Sequence, residues 1–179
     1  TKSRLRAGAF NHLRKEEYQK LNFSFYGMPI DKALLGRMCH ESLRIYNDLA
    51  EQNPEAYEPE LAQAYNTIAT LYSQTGERED AEKGYMEALS IRELLAQRNP
   101  TAMRPALAAT MSNIGYHYYL WGSYAEAEKY FLSAIDIYES LATDDDGAFV
   151  TDLARNCNAV ANLYAKMGDW RTAERYYHD

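Results

Sequence analysis

With only two cysteines, Cys39 and Cys157, the 179-residue chain has too few for a disulfide framework or a four-ligand zinc site, and those two fit a reducing, cytoplasmic compartment. No apolar run approaches the roughly 18 residues of a spanning helix. Nor do the first twenty residues, with Lys2, Arg4, Arg6, Arg14, Lys15 and Lys20, contain the apolar stretch of a signal peptide. Membrane insertion is therefore excluded. Basic side chains are outnumbered nineteen to twenty-six, and a net charge of −7 argues against the broad phosphate-binding surface that a nucleic-acid partner requires. Residues 1–20 stand apart with six basic against two acidic side chains, which reads as a solvated basic end.

Chemistry-bearing motifs are equally scarce. There is no phosphate-cradling glycine loop, no nucleophile elbow and no Cys-x-x-Cys. His40-Glu41 begins like a zinc-protease helix, but Arg44 stands at the second ligand position. Asp144-Asp145-Asp146-Gly147 lacks the alternation of a calcium loop, and Arg155 stands where its closing glutamate belongs. His12, His40, His117 and His178 have no repeated carboxylate partner and read as surface or packing residues. The expectation is a non-catalytic protein without metal or cofactor.

What the chain has is self-similarity. A shift of 46 positions lays Leu61 on Leu107 and Leu153, Tyr72 on Tyr118 and Tyr164, Gly76 on Gly122 and Gly168, and Ala81 on Ala127 and Ala173. Glu82, Glu128 and Glu174 also coincide, and Tyr85, Phe131 and Tyr177 keep one position aromatic. A fixed period of this kind marks a stacked repeat array. Asn53-Pro54 falls on Asn99-Pro100, so each repeat ends at Asn-Pro.

Within a repeat, Tyr65, Ile68, Ala69 and Tyr72 have helical spacing, as do Met111, Ile114, Gly115 and Tyr118, and Cys157, Val160, Ala161 and Tyr164. A second amphipathic run follows each glycine, through Ala81, Tyr85, Ala88 and Leu89 and through Ala127, Phe131, Ala134 and Ile135. The glycines sit where the first helix must stop and the chain turn back. The unit is thus a helical hairpin in which Ala69 or Gly115, and Ala81 or Ala127, permit close approach while the aromatics fill the space between hairpins.

This string of large, apolar, small, tyrosine, glycine, alanine and aromatic positions resembles the tetratricopeptide repeat. The period exceeds that repeat's 34 residues by 12, which places the extra length on the second helix and the Asn-Pro connector. In this respect it is similar to the long-repeat subfamily of kinesin light chains and bacterial proteins. The resemblance implies an all-α, right-handed α–α superhelix. Repeats span about 59–100, 105–146 and a truncated 151–179, behind a divergent N-terminal hairpin or cap over 1–52. In that cap Asp31 to Gln52 forms the second helix, with its partner within residues 3–26. A start without methionine and an end within a helix read as a piece of a longer protein.

The resemblance also implies that first helices line a concave face that binds peptides. The candidate groove residues are Asn66, Thr70, Ser112, Asn113, Tyr116, Tyr119, Arg155, Asn158, Asn162 and Lys166. Side-chain amides both donate and accept, so an asparagine ladder can hold an extended backbone, while Tyr116 and Tyr119 supply an apolar anchor. The competing reading is that these amides bond neighbouring loops or water. Of the carboxylate clamp of some relatives, Asn113 and Arg155 match, whereas Asn66, Thr70 and Ala159 replace other members, so the full clamp is absent. The function expected is a protein-interaction scaffold for a protein or peptide partner. Its alternatives are a structural segment of a larger multidomain protein, which packs on other domains of its own chain or self-associates through the last hairpin, and a ligand-sensing regulatory module.

Overall fold

The computed structural model describes residues 32–144 and 147–178, which form seven α-helices and no strand. These are α1 (Lys32–Gln52), α2 (Pro54–Thr75), α3 (Arg78–Arg98), α4 (Pro100–Leu120), α5 (Tyr124–Asp144), α6 (Val150–Met167) and α7 (Trp170–His178). Each helix packs on the next, and the first helices of successive hairpins also touch, α2 with α4 and α4 with α6. The result is the expected all-α superhelix of stacked hairpins α2–α3, α4–α5 and α6–α7. Helix α1 packs against α2. Its expected partner within residues 3–26, and Asp31, lie outside the described residues.

The turn inside each hairpin is built the same way three times. Gly76, Gly122 and Gly168 adopt φ of 90°, 73° and 85°. In each case the next residue's N–H reaches five residues back to the core tyrosine's carbonyl: Glu77 to Tyr72 at 2.9 Å, Ser123 to Tyr118 at 3.0 Å, and Asp169 to Tyr164 at 2.9 Å. This is the Schellman closure, which satisfies carbonyls that the helix end leaves open.

A single residue separates α1 from α2 and α3 from α4. Asn99 closes α3 through its N–H to the Leu95 carbonyl, and its side chain accepts from the Ala102 N–H at 3.3 Å as α4 begins at Pro100. Pro54 likewise opens α2 after Asn53, whose N–H reaches the Leu49 carbonyl at 2.9 Å but whose side chain makes no cap bond. Proline suits the first helical position because the N–H it lacks has no intrahelical partner there, and it keeps the preceding asparagine extended. The added length is therefore not confined to the second helix and a connector. Both helices share it, since α2 to α5 run 21 or 22 residues each.

Close packing follows the small residues. Ala69, Ala81 and Ala127 are fully buried. At Gly115 a Cβ would stand 2.7 Å from Phe131 Cδ1, so the ring lies directly on the α4 backbone. Tyr85 and Phe131 fill the core beside Ile114, Tyr118, Val160 and Leu163.

Candidate functional site

One side of the stack is formed by α2, α4 and α6, and polar side chains join these helices across it. Asn113 Nδ2 donates to Asn66 Oδ1 at 3.1 Å, Ser112 Oγ donates to Asn156 Oδ1 at 2.8 Å, and His117 Nδ1 lies 2.9 Å from Ser73 Oγ. Asn66 is buried by its bond to Asn113 rather than open to the groove. Thr70 Oγ1 donates to the Asn66 carbonyl at 2.8 Å and lies 3.1 Å from the Tyr85 hydroxyl.

The exposed members are found further along. Tyr116 is 55% exposed and stacks on Tyr119 with ring centroids 6.2 Å apart, and Tyr119 in turn contacts Tyr124 at 6.2 Å. On α6, Asn158, Asn162 and Lys166 are exposed, and Asn162 Oδ1 accepts from the Tyr177 hydroxyl at 2.7 Å. Arg155 pairs with Asp152 at 2.6 Å, an exposed ion pair worth little to stability. The ten candidates thus divide into an interhelical set (Asn66, Thr70, Ser112, Asn113) and an outward-facing set (Tyr116, Tyr119, Arg155, Asn158, Asn162, Lys166).

Two buried polar residues were not singled out by their motifs. His117 is 1% exposed and occupies the position that Leu71 and Leu163 hold one period away. Arg92 is buried where Tyr46 and Tyr138 stand in the adjoining periods. Its Nη1 donates to the Ala106 carbonyl at 2.9 Å and to Thr110 Oγ1, and its Nη2 to Gln63 Oε1 at 2.6 Å. Burial lowers the guanidinium to about 10, which leaves it charged at neutral pH. Reading the columns of the 46-residue alignment for a polar residue among apolar or aromatic ones would have found both.

A repeated latch also joins the hairpins. The Tyr118 hydroxyl donates to Glu82 at 2.7 Å, and Tyr164 donates to Glu128 in the equivalent place. Burial first, and then the Glu82 carboxylate, raise the Tyr118 phenol. The bond to Glu128, followed by burial, pushes Tyr164 up to about 12. Both phenols therefore remain protonated donors at neutral pH.

Among the described residues no three His, Cys, Asp or Glu side chains converge to hold a metal, and no helix is long and apolar enough to cross a membrane.

The repeat pattern and the hairpin stack have the form of tetratricopeptide repeats in the part of the chain that a family model covers. The tetratricopeptide repeat family model matches residues 61–100 and 107–145. No curated protein matches the sequence. Among solved structures the chain is similar to BtubC (BKLC) from P. vanneervenii, at 20% identity and a TM-score of 0.61, over 97% of this chain and 72% of that one. At that identity the likeness concerns the fold.

Proposed function

We propose that the stack is a non-catalytic scaffold that holds an extended segment of a partner protein along the α2–α4–α6 face. The observation that carries this reading is electrostatic. Residues 63–74 of α2, 109–120 of α4 and 155–166 of α6 contain no aspartate or glutamate, in a chain that has twenty-six of them. Burial alone does not explain this depletion, because Gln63, Gln74, Tyr116, Leu120, Asn158, Asn162 and Lys166 are exposed. Stretches without carboxylates of their own meet a peptide backbone, or an acidic side chain, with little repulsion, the nearby Asp152 being paired with Arg155. The Tyr116–Tyr119 pair offers the apolar anchor, Asn158 and Asn162 offer paired donors and acceptors, and Lys166 favours a carboxylate at the α6 end.

The test uses a partner captured by the whole chain and then purified. Asn158→Ala, Asn162→Ala and Tyr119→Ala combined should weaken its calorimetric affinity at least about tenfold, the scale of losing one anchor residue. The circular dichroism spectrum should not change. Equal affinity for both proteins would remove the inner face from the account.

A second reading, self-association through the last hairpin, is favoured by Trp170 and Tyr177 of α7, which are 71% and 51% exposed. Light scattering of the purified chain decides it, since a monomer at all concentrations sampled excludes that contact.

A further inference from the structure

We propose that His117 is a proton-operated joint between hairpins α2–α3 and α4–α5, whose charging loosens α4 from α2 and so alters the face that carries Tyr116 and Tyr119. The imidazole lies between the hairpins. Nδ1 is 2.9 Å from Ser73 Oγ on α2, and the ring packs on Tyr85 of α3 and on Tyr118 of its own helix, each at 5.6 Å between centroids, with Trp121 at 6.4 Å. Nε2 is buried and has no hydrogen-bond partner among the described residues.

This environment suits a neutral ring and not a charged one. The single bond at Nδ1 leaves one nitrogen of the neutral ring unsatisfied in either tautomer, whereas an imidazolium has two donors and carries a charge, so protonation would leave a charged, buried N–H without an acceptor. The groups that face the ring are as follows. From α2 comes the Ser73 hydroxyl. From α3 come Arg78, Glu82 and the Tyr85 phenol, and from α4 the Tyr118 phenol. Glu82 favours the cation, but its carboxylate already accepts the Tyr118 hydroxyl at 2.7 Å. Arg78 opposes the cation, and it is held in place by Trp121, 5.7 Å from its ring, and by Ser123 Oγ at 3.1 Å. Burial is the largest influence and holds the imidazole below its ordinary value, with Glu82 acting against it and Arg78 with it.

The column at position 117 points the same way. Leu71 and Leu163 occupy it in the neighbouring repeats, and Leu163 is fully buried. A leucine there would complete an apolar joint, so histidine introduces a titratable group at this column in one repeat and not in its neighbours. Tyr116 precedes it and Tyr119 follows two residues later, so a shift of α4 at this point moves the exposed Tyr116 and the half-buried Tyr119 on which it stacks. Only the consequence for partner binding rests on the scaffold reading. Proton uptake and loosening do not.

The linkage sign is definite. The unfolded chain takes up the proton near pH 6.5, and the folded chain only at lower pH. Stability from this group is therefore complete above about pH 6.5 and is lost as pH falls towards the folded value, tenfold in the folding equilibrium for each unit between them.

The experiment is an NMR titration of the whole chain with labelled histidines, in which His117 is assigned by its loss in His117→Leu. The expected result is a His117 midpoint below 6.5, with the backbone amides of Ser73, Tyr116 and Tyr119 shifting at the same midpoint. Thermal melts from pH 7.5 to 5 should show a fall for the natural chain that is smaller in His117→Leu. A midpoint at or above 6.5, amides that stay still through the titration, or parallel melts for the two proteins would each overturn the proposal. If the leucine variant does not fold, the titration of the natural chain still decides it. Loss of affinity for a partner in acid, absent in His117→Leu, would extend the joint to the groove. An intact joint with no effect of the triple groove substitution on affinity would count against the scaffold reading alone.

Discussion

The glycine in the hairpin turn can be tested with its cost assigned to a single cause. At Gly122, φ is +73° and an added Cβ would meet no heavy atom within 4 Å. A side chain there therefore costs only the left-handed backbone conformation, roughly 1–2 kcal/mol for an ordinary L-residue. Alanine regains part of this, about 0.4–1 kcal/mol, by restricting the unfolded chain. Gly122→Ala should thus lose roughly 1 kcal/mol. Gly122→Val, with a branched Cβ that fits this region worst, should lose about 2 kcal/mol or more, and Gly122→Asn should lose least. In a domain of this size about 1 kcal/mol corresponds to 2–4 °C in Tm. Urea titration followed by far-ultraviolet circular dichroism gives the series, with the slope checked for constancy because repeat arrays can unfold in parts. An order other than Asn, Ala, Val, or a valine variant as stable as the natural chain, would refute the argument. Strain at φ +73° would then not be what glycine relieves.

Three other substitutions probe the packing. Gly115→Ala should destabilise, by up to about 2 kcal/mol in urea titration, although alanine favours helices, because its Cβ would stand within 3.0 Å of three atoms of the buried Phe131 ring. Tyr118→Phe and Tyr164→Phe should each cost about 1.5–3 kcal/mol by the same assay, the worth of a hydrogen bond to a charged group, and should add when combined. Arg92→Tyr restores the residue that Tyr46 and Tyr138 supply in neighbouring periods, and replaces a buried cation with no carboxylate among its hydrogen-bond acceptors. Its Tm should equal or exceed that of the natural chain.

The hairpins were legible because their determinants are local and occur three times. Tyr72, Tyr118 and Tyr164 each precede a glycine by four residues, and that spacing alone specifies the turn. The length of the helices was less so. A proline reads as a break, yet Pro59 and Pro105 lie inside α2 and α4, near enough to their starts for the helix to survive a missing N–H. Asn66 shows a different limit. Its spacing places it on the inner side of α2, but only the separation of α2 from α4 determines that Asn113 reaches it at 3.1 Å and closes it off. Glu82 and Tyr118 were both visible as periodic columns, while their pairing depends on how one hairpin sits on the next. His117 and Arg92 break their columns, so a reading of what the repeats share passes over them and only a reading of where the repeats differ finds them.

The most direct test of the scaffold account is photo-crosslinking by position. A benzoylphenylalanine replaces Tyr116 on the α4 face in one protein and the exposed Leu94 of α3 in another, and each is irradiated with the purified partner. The account predicts an adduct at position 116 that is lost with Asn158→Ala and Asn162→Ala, and none at position 94. An adduct at 94 without one at 116 would place the partner on the outer helices and contradict it.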